Sequence, residues 1–247
     1  MTPVRQLSSA MLAASLAMSA VALADDYRAE VRLTGNHNEF DDDVGDVDVV
    51  NATGTYYLEP VTTDNLPLAE AAFLNRSSYV NVTASHFDQE GEGNAEAFGA
   101  NIGYYLPDTI LFGRLGVTRV DLGDGADVRW HGTFGVTPID GLLLTTDVDE
   151  DGWDPNVRAK YVGKMGNGHF YAASISAVDP DQDDLNVGLD FDYFLDLTLK
   201  VGAGYNDGPD RFTVRAEKFF TPRFAVAGAV HTEDEGEGFS VQVGWRF

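Results

Sequence analysis

Period-two alternation of apolar and polar residues, in segments of about ten, recurs through this chain from residue 25 onward and leaves it few ways to fold. The last segment is the clearest: Phe239, Val241, Val243, Trp245 and Phe247 alternate with Ser240, Gln242, Gly244 and Arg246. Successive side chains of a strand face opposite sides, so one face of this segment is apolar and the other small or polar. The same pattern sets Leu197, Leu199, Val201 and Tyr205 against Thr198, Lys200, Gly202 and Gly204, and Leu185, Val187, Leu189 and Phe191 against Asn186, Gly188, Asp190 and Asp192. It recurs at Val128–Thr137, Phe98–Leu106 and Val50–Leu58. In the opening segment Tyr27, Ala29, Val31 and Leu33 oppose Arg28, Glu30, Arg32 and Thr34.

Two kinds of connection take turns between the segments. Acidic, Gly-rich loops lie at Phe40–Asp48, Asp88–Glu96, Asp121–Asp127, Asp149–Asp154, Asp179–Asp184, Asn206–Asp210 and Glu233–Glu237. Shorter turns lie at Pro107-Asp108, Pro138–Asp140, Met165–Gly168, Leu195-Asp196 and Thr221–Arg223. The exception is Glu59–Arg76, a longer stretch holding the helix-like Pro67–Leu74, which we expect to form a short periplasmic helix, with a lumen-entering plug as the less favoured alternative. Seven loops and six other connections imply fourteen strands. Twelve and sixteen are the alternatives. Short turns on one rim and longer polar loops on the other describe a transmembrane, antiparallel, up-and-down β-barrel, an all-β fold.

A soluble β-sandwich also alternates, but three features weigh against it. Tyr, Trp and Phe gather at the ends of the apolar faces, where amphipathic rings suit lipid headgroups. The opposite faces carry charges inside the strands, which would need water on that side while the aromatic-ended apolar face went uncovered. The chain also closes on an aromatic residue in mid-strand, and Trp245 and Phe247 are the expected signal for the outer-membrane barrel-assembly machinery.

Residues 1–24 read as a cleaved secretory signal. Arg5 precedes an apolar run from Met11 to Leu23, and small residues close it at Ala22 and Ala24. The run is short of the ~20 apolar residues a helical span requires. Residues 25–247 then form one barrel domain, reached by Sec-type export past periplasmic chaperones to the outer membrane of a Gram-negative cell. A net charge of −24 argues against nucleic acid as a partner, because phosphate binding requires Lys and Arg. With no cysteine, disulfides and thiolate metal sites are excluded.

The stretch Tyr56–Val61, then Pro67–Leu74, then Ser77–Val80 resembles a bacterial family of outer-membrane porin-like β-barrels. Size, leader and terminal phenylalanine agree with it. The resemblance implies a porin-like barrel and carries no functional residues with it.

Catalytic chemistry finds little support. The chain has five histidines, His37, His86, His131, His169 and His231. Ser85-His86 is their only adjacent Ser-His pair, and neighbouring strand residues face opposite sides, so the two cannot meet. Acidic runs such as Asp41–Asp48 and Asp179–Asp184 offer the hard oxygens calcium prefers, but neither has EF-hand spacing, and no cofactor or metal is expected. Divalent bridging to the phosphates of lipopolysaccharide is an expectation of the same charge.

Alternation turns Arg28, Arg32, Arg114, Arg129, Arg158 and Lys160 inward, together with Lys200, Arg215 and Arg246. Glu30, Asp190 and Glu217 are expected to join them, with Asp147 and Asp192 also facing in. A fourteen-stranded lumen lies between a filled eight-stranded barrel and an open porin of sixteen strands. The expected activity is therefore passive diffusion of ions and small hydrophilic solutes through a monomer or homo-oligomer, without catalysis. The alternatives are a closed structural or adhesive barrel and, less favoured, an outer-membrane hydrolase.

Overall fold

The computed structural model describes residues 26–40, 45–91, 93–121, 123, 125–149, 156–178, 185–234 and 236–247. The expected leader, residues 1–24, lies outside them, as do large parts of the acidic loops at 41–48, 149–154 and 179–184.

The first seven strands are β1 (Tyr27–Phe40), β2 (Val47–Val61), β3 (Tyr79–Gln89), β4 (Gly93–Tyr105), β5 (Leu111–Asp121), β6 (Ala126–Val136) and β7 (Leu142–Asp149). The remaining seven are β8 (Val157–Lys164), β9 (Phe170–Val178), β10 (Asn186–Asp196), β11 (Leu199–Asn206), β12 (Arg211–Thr221), β13 (Phe224–Glu233) and β14 (Gly236–Arg246). Each pairs antiparallel with its sequence neighbour, and β14 returns to β1 to close the barrel. Fourteen strands in an up-and-down order are what the two alternating kinds of connection implied.

Closure follows from the pattern. Ladder pairing runs from Glu30–Arg246 to Phe40–Gly236, so neither terminal strand keeps an open edge. In a lipid environment every backbone N–H and C=O must be satisfied within the protein, and a closed sheet does this. No helix among the described residues is long and apolar enough to cross a membrane. The outward faces are apolar: Val31, Leu33, Ile102, Leu115, Phe134, Leu189, Val241 and Trp245 all stand exposed on the outer wall. Such a continuous apolar wall suits lipid and would be a liability in water.

Several strands run further into the connections than the sequence reading gives, β2 through Val61 and β14 from Gly236 among them. Strands β3 and β4 continue through Asp88–Asn94 and Gln89–Gly93 into a tight turn, because polar side chains beyond the apolar band do not stop backbone pairing. Strand β10 runs through Asp196, and the turn sits at Leu197-Thr198. There the Asp196 carboxylate accepts the Thr198 N–H and hydroxyl at 2.6 Å each, which holds the turn two residues later than expected.

The main correction concerns Pro67–Leu74. The segment does not lie outside the barrel; it folds into the lumen at the rim that carries the short turns and the chain ends. A 3-10 turn (Leu68–Glu70) leads into one helical turn, α1 (Ala71–Leu74). The physical reason is apolar burial. Leu68 packs on Phe219 and Ala225, Ala71 on Tyr27, Tyr57 and Val61, and Phe73 and Leu74 on the cluster of Val162, Phe170, Ala172 and Phe194. Backbone bonds fix it further, with the Leu68 N–H donating to the Leu197 carbonyl at 2.8 Å. Asn75 ties off its end, donating to the Ala71 and Thr62 carbonyls at 2.7 and 2.8 Å.

Val241 is half-exposed on the outer wall, and Ser240 faces the lumen opposite Asn36 and Ala229. Val241→Arg is expected to cost about 2–4 kcal/mol of folding stability and Ser240→Arg less than about 1 kcal/mol, read by urea unfolding in lipid vesicles. Equal costs at the two positions would overturn the inside–outside assignment.

Candidate functional site: the charged lumen

Odd or even position along each strand decides which charges meet inside the barrel, and pairing across strands then decides their partners. The centre of the first group is Glu30, buried between Arg32 and Arg246. Arg32 Nε bonds Glu30 Oε1, and Arg246 Nε reaches Glu30 Oε2 at 2.6 Å. Arg246 is buried too, and its guanidinium lies over the rings of Tyr27 and Phe219 at 4.3 and 4.4 Å. Arg246 Nη1 donates to the Leu68 carbonyl at 3.0 Å, which joins β14 to the inward-folded segment. Arg32 also donates to Gln242 Oε1 at 3.2 Å, and Gln242 to Thr34 Oγ1 at 3.0 Å.

A second group lies on β10–β12. Arg215 donates to Asp192 at 2.8 Å and Asp190 at 2.5 Å, while Lys200 sits 3.2 Å from Glu217 and 3.9 Å from Asp192. A third occupies the opposite wall, β5–β8. Arg114 donates to Thr133 Oγ1 at 2.8 Å and stands 3.7 Å from Asp147; Arg158 approaches the other oxygen of Asp147 at 3.5 Å. Lys160 pairs with Glu70 of the inward segment at 2.7 Å and lies 4.6 Å from the Phe73 ring centre. Arg129 sits nearer the loop rim and pairs with Asp127 at 2.8 Å.

Thirteen of the fourteen expected inward charges therefore face the lumen, and Arg28 does not. The N–H groups of Arg28 and Ala29 both donate to the Phe247 carbonyl, at 2.7 and 3.2 Å, which is a β-bulge. The bulge sets Arg28 and Ala29 on the same outward side. Arg28 is left exposed at the rim, and Tyr27, expected outside, turns in against Tyr57 with ring centres 5.5 Å apart. Trp245 stays on the outer wall against Phe224, at 5.2 Å, and the Phe247 backbone closes onto Ala29. Sequence reasoning missed Glu70 as a lumen residue. Its signal was present only as a glutamate in an otherwise apolar run, and strand alternation says nothing about a helical segment.

Charge pairing leaves two walls of different character. Between Glu30, Arg32, Glu217, Phe219, Gln242 and Arg246 only about 10 Å³ of free space remains. Beside α1, along β2–β8, a cavity of about 520 Å³ stays open. The segment is anchored on several sides, and the free space lies beside its Ala72–Phe73 face.

Among the described residues the five histidines stand apart, each with its own neighbours. His131 bonds Asn101 Oδ1 at 2.7 Å inside the barrel, over Gly116, where a Cβ would collide with both side chains. His231 bonds Asn38 at 3.0 Å, and His169 stacks on Tyr193 at the turn rim. His37 sits 2.9 Å from Asp48 and His86 3.8 Å from Glu96, near the loop rim. Ser85 bonds Asn51 at 2.9 Å, on the lumen side and away from His86. Among the described residues no group of three or more acidic, His or Cys side chains is arranged to hold a metal ion.

A family model described as "Putative general bacterial porin" matches residues 3–101, which include the Tyr56–Val80 stretch on which the family resemblance rests. Among solved structures, the outer membrane protein Omp33 of Acinetobacter baumannii superposes with a TM-score of 0.73 at 23% identity, over 91% of this chain and 100% of that one. A bacterial polysaccharide outer membrane secretin gives a TM-score of 0.51 at 7% identity, over 90% of this chain and 99% of the other. No curated protein matches by sequence. At these identities the structural likeness is one of fold: a closed antiparallel barrel of the outer-membrane kind.

The buried Glu30–Arg246 pair and the exposed Arg129–Asp127 pair should separate sharply in a stability measurement. Arg246→Ala, which removes one partner of a buried pair, is expected to cost about 3–5 kcal/mol. Arg129→Ala at the mouth is expected to cost less than about 1 kcal/mol. Denaturant unfolding of the vesicle-inserted protein reads both.

Proposed function

We propose that this protein is a general diffusion pore of the outer membrane, passing ions and small hydrophilic solutes passively. The observation that carries this reading is the cavity of about 520 Å³ beside α1, polar and charged on its walls, inside a barrel whose exterior is apolar. The matched family and the fold shared with outer-membrane barrels support a channel rather than an enzyme. In this reading the turn rim faces the periplasm and the loop rim the outside, the usual orientation of such barrels. Its partners are outer-membrane lipid and lipopolysaccharide, and the barrel-assembly machinery that inserts it. Acidic residues at the loop rim, such as Asp48, Asp88, Glu96 and Glu237, concentrate cations at the mouth, because a rim of one sign focuses its field there.

One observation favours a second reading, a closed structural barrel. The Pro67–Leu74 segment is anchored on several sides and narrows the lumen at the turn rim. Single-channel recording of the refolded mature protein in a planar bilayer decides between them. A pore gives discrete current steps, whereas a silent bilayer, with folding verified by heat-modifiable gel mobility, supports the closed barrel. Replacing residues 67–74 with a Gly-Ser tether of equal length is expected to raise conductance severalfold and to lower the unfolding temperature. Unchanged conductance would mean that the segment does not set the narrowest cross-section.

A further inference from the structure

The cavity beside α1 is divided chemically into two halves. On one half stand Arg32, Arg114, Arg158 and Lys160, from β1, β5 and β8. On the other stand the rings of Tyr57, Tyr79, Tyr105 and Phe112, from β2 to β5, with Phe73 of α1 at the edge.

The basic half presents its cations and hides its acids. The four cations keep between 33% and 52% of their side-chain surface exposed, while Glu30 and Glu70 keep 7% and 5% and Asp147 22%. A solute in the cavity therefore meets guanidinium and ammonium groups, with the compensating carboxylates behind them. Arg158 in particular is half-exposed and touches Asp147 only at 3.5 Å, so it retains donors for an incoming carboxylate. Arg114 lies beside it and brings a second fork to the same place.

The ring half is built from neighbouring strands. Tyr79 lies across Gly103, where a Cβ would stand 2.5 Å from two of its ring carbons, and so the ring extends from β3 toward β5 and Arg114. Tyr105 packs on the buried Phe112 with centroids 4.6 Å apart and the rings tilted by 43°. Aromatic faces within reach of forked cations match a flat ring that carries an anionic group.

The geometry points to a subsite for small aromatic carboxylates in this cavity, ring on the Tyr79–Tyr105 side and carboxylate on Arg114 and Arg158. It rests on the pore reading for the route by which such a solute arrives, and the subsite itself is an equilibrium property of the folded barrel. The volume, about 520 Å³, is within the range of small-molecule sites.

Two measurements on the full mature protein test it. Isothermal titration of the detergent-refolded barrel with sodium benzoate is expected to show saturable binding. Sodium acetate, which has the charge alone, and benzyl alcohol, which has the ring alone, should bind at least about tenfold more weakly. Arg158→Gln should weaken benzoate about tenfold. Gly103→Ala, which displaces the Tyr79 ring, should weaken benzoate and leave acetate unchanged. Equal affinity for benzoate and acetate, no benzoate binding, or indifference to both variants in barrels that retain heat-modifiable mobility would overturn the subsite. Bilayer recording with benzoate added separates the two readings. Benzoate binding with a silent bilayer sinks the pore and keeps the subsite; steady current without benzoate binding does the reverse.

Discussion

The pairing of β14 with β1 is the constraint on which the rest of this structure depends. Until those strands meet, the sheet has two open edges and its apolar faces have no defined inside or outside. Once Glu30 lies opposite Arg246, every alternating position along the chain is committed to the lumen or to the outer wall. The closure also places Arg246 beside Glu30 and Arg32, so the seam is held by a buried ion group as well as by backbone bonds. A buried pair of this kind adds little against an apolar substitute, but it makes the wrong register expensive, since a slip would bury each charge alone.

A barrel of this kind is inverted relative to a soluble protein, with its apolar surface outside and polar groups within. The Pro67–Leu74 segment is the local exception. It brings Leu68, Ala71, Phe73 and Leu74 into the lumen, and the inward residues there, Tyr27, Tyr57, Val162, Phe170, Phe194 and Phe219, are apolar to receive it. Those residues sit at inward positions near the turn rim, where alternation alone would have allowed polar ones. The plug thus accounts for aromatic side chains that a water-filled lumen would leave unexplained. The lumen is also asymmetric: charge pairs leave little space near β12–β14, while the side from β1 to β8 stays open with its cations forward.

Much of this architecture was legible in the chain. Alternation such as Phe239–Phe247 fixed which faces were apolar, and the two kinds of connection fixed fourteen strands, because period two and turn chemistry are local properties. Thirteen of the fourteen expected inward charges followed from the same parity. Arg28 failed because a bulge at the seam breaks parity, and whether a bulge forms depends on how β1 meets the Phe247 carbonyl, a contact between opposite ends of the sequence. The fate of Pro67–Leu74 was hidden for a related reason. A short apolar helix fits a rim surface or a lumen equally well as far as its own residues say.

The sequence by itself determined the barrel: strand number, the lipid-facing and lumen-facing sets, and the acidic character of the loop rim. Those follow from the alternating side-chain directions of an extended chain and from the rule that a membrane tolerates no unpaired backbone. Only the tertiary structure decided that Glu70 meets Lys160, that Arg246 reaches the Leu68 carbonyl, and that the free space lies beside the rings and cations of β2–β8. Each of those depends on groups 90 or more positions apart, brought together when the sheet curls and its ends join. No local pattern records such a meeting.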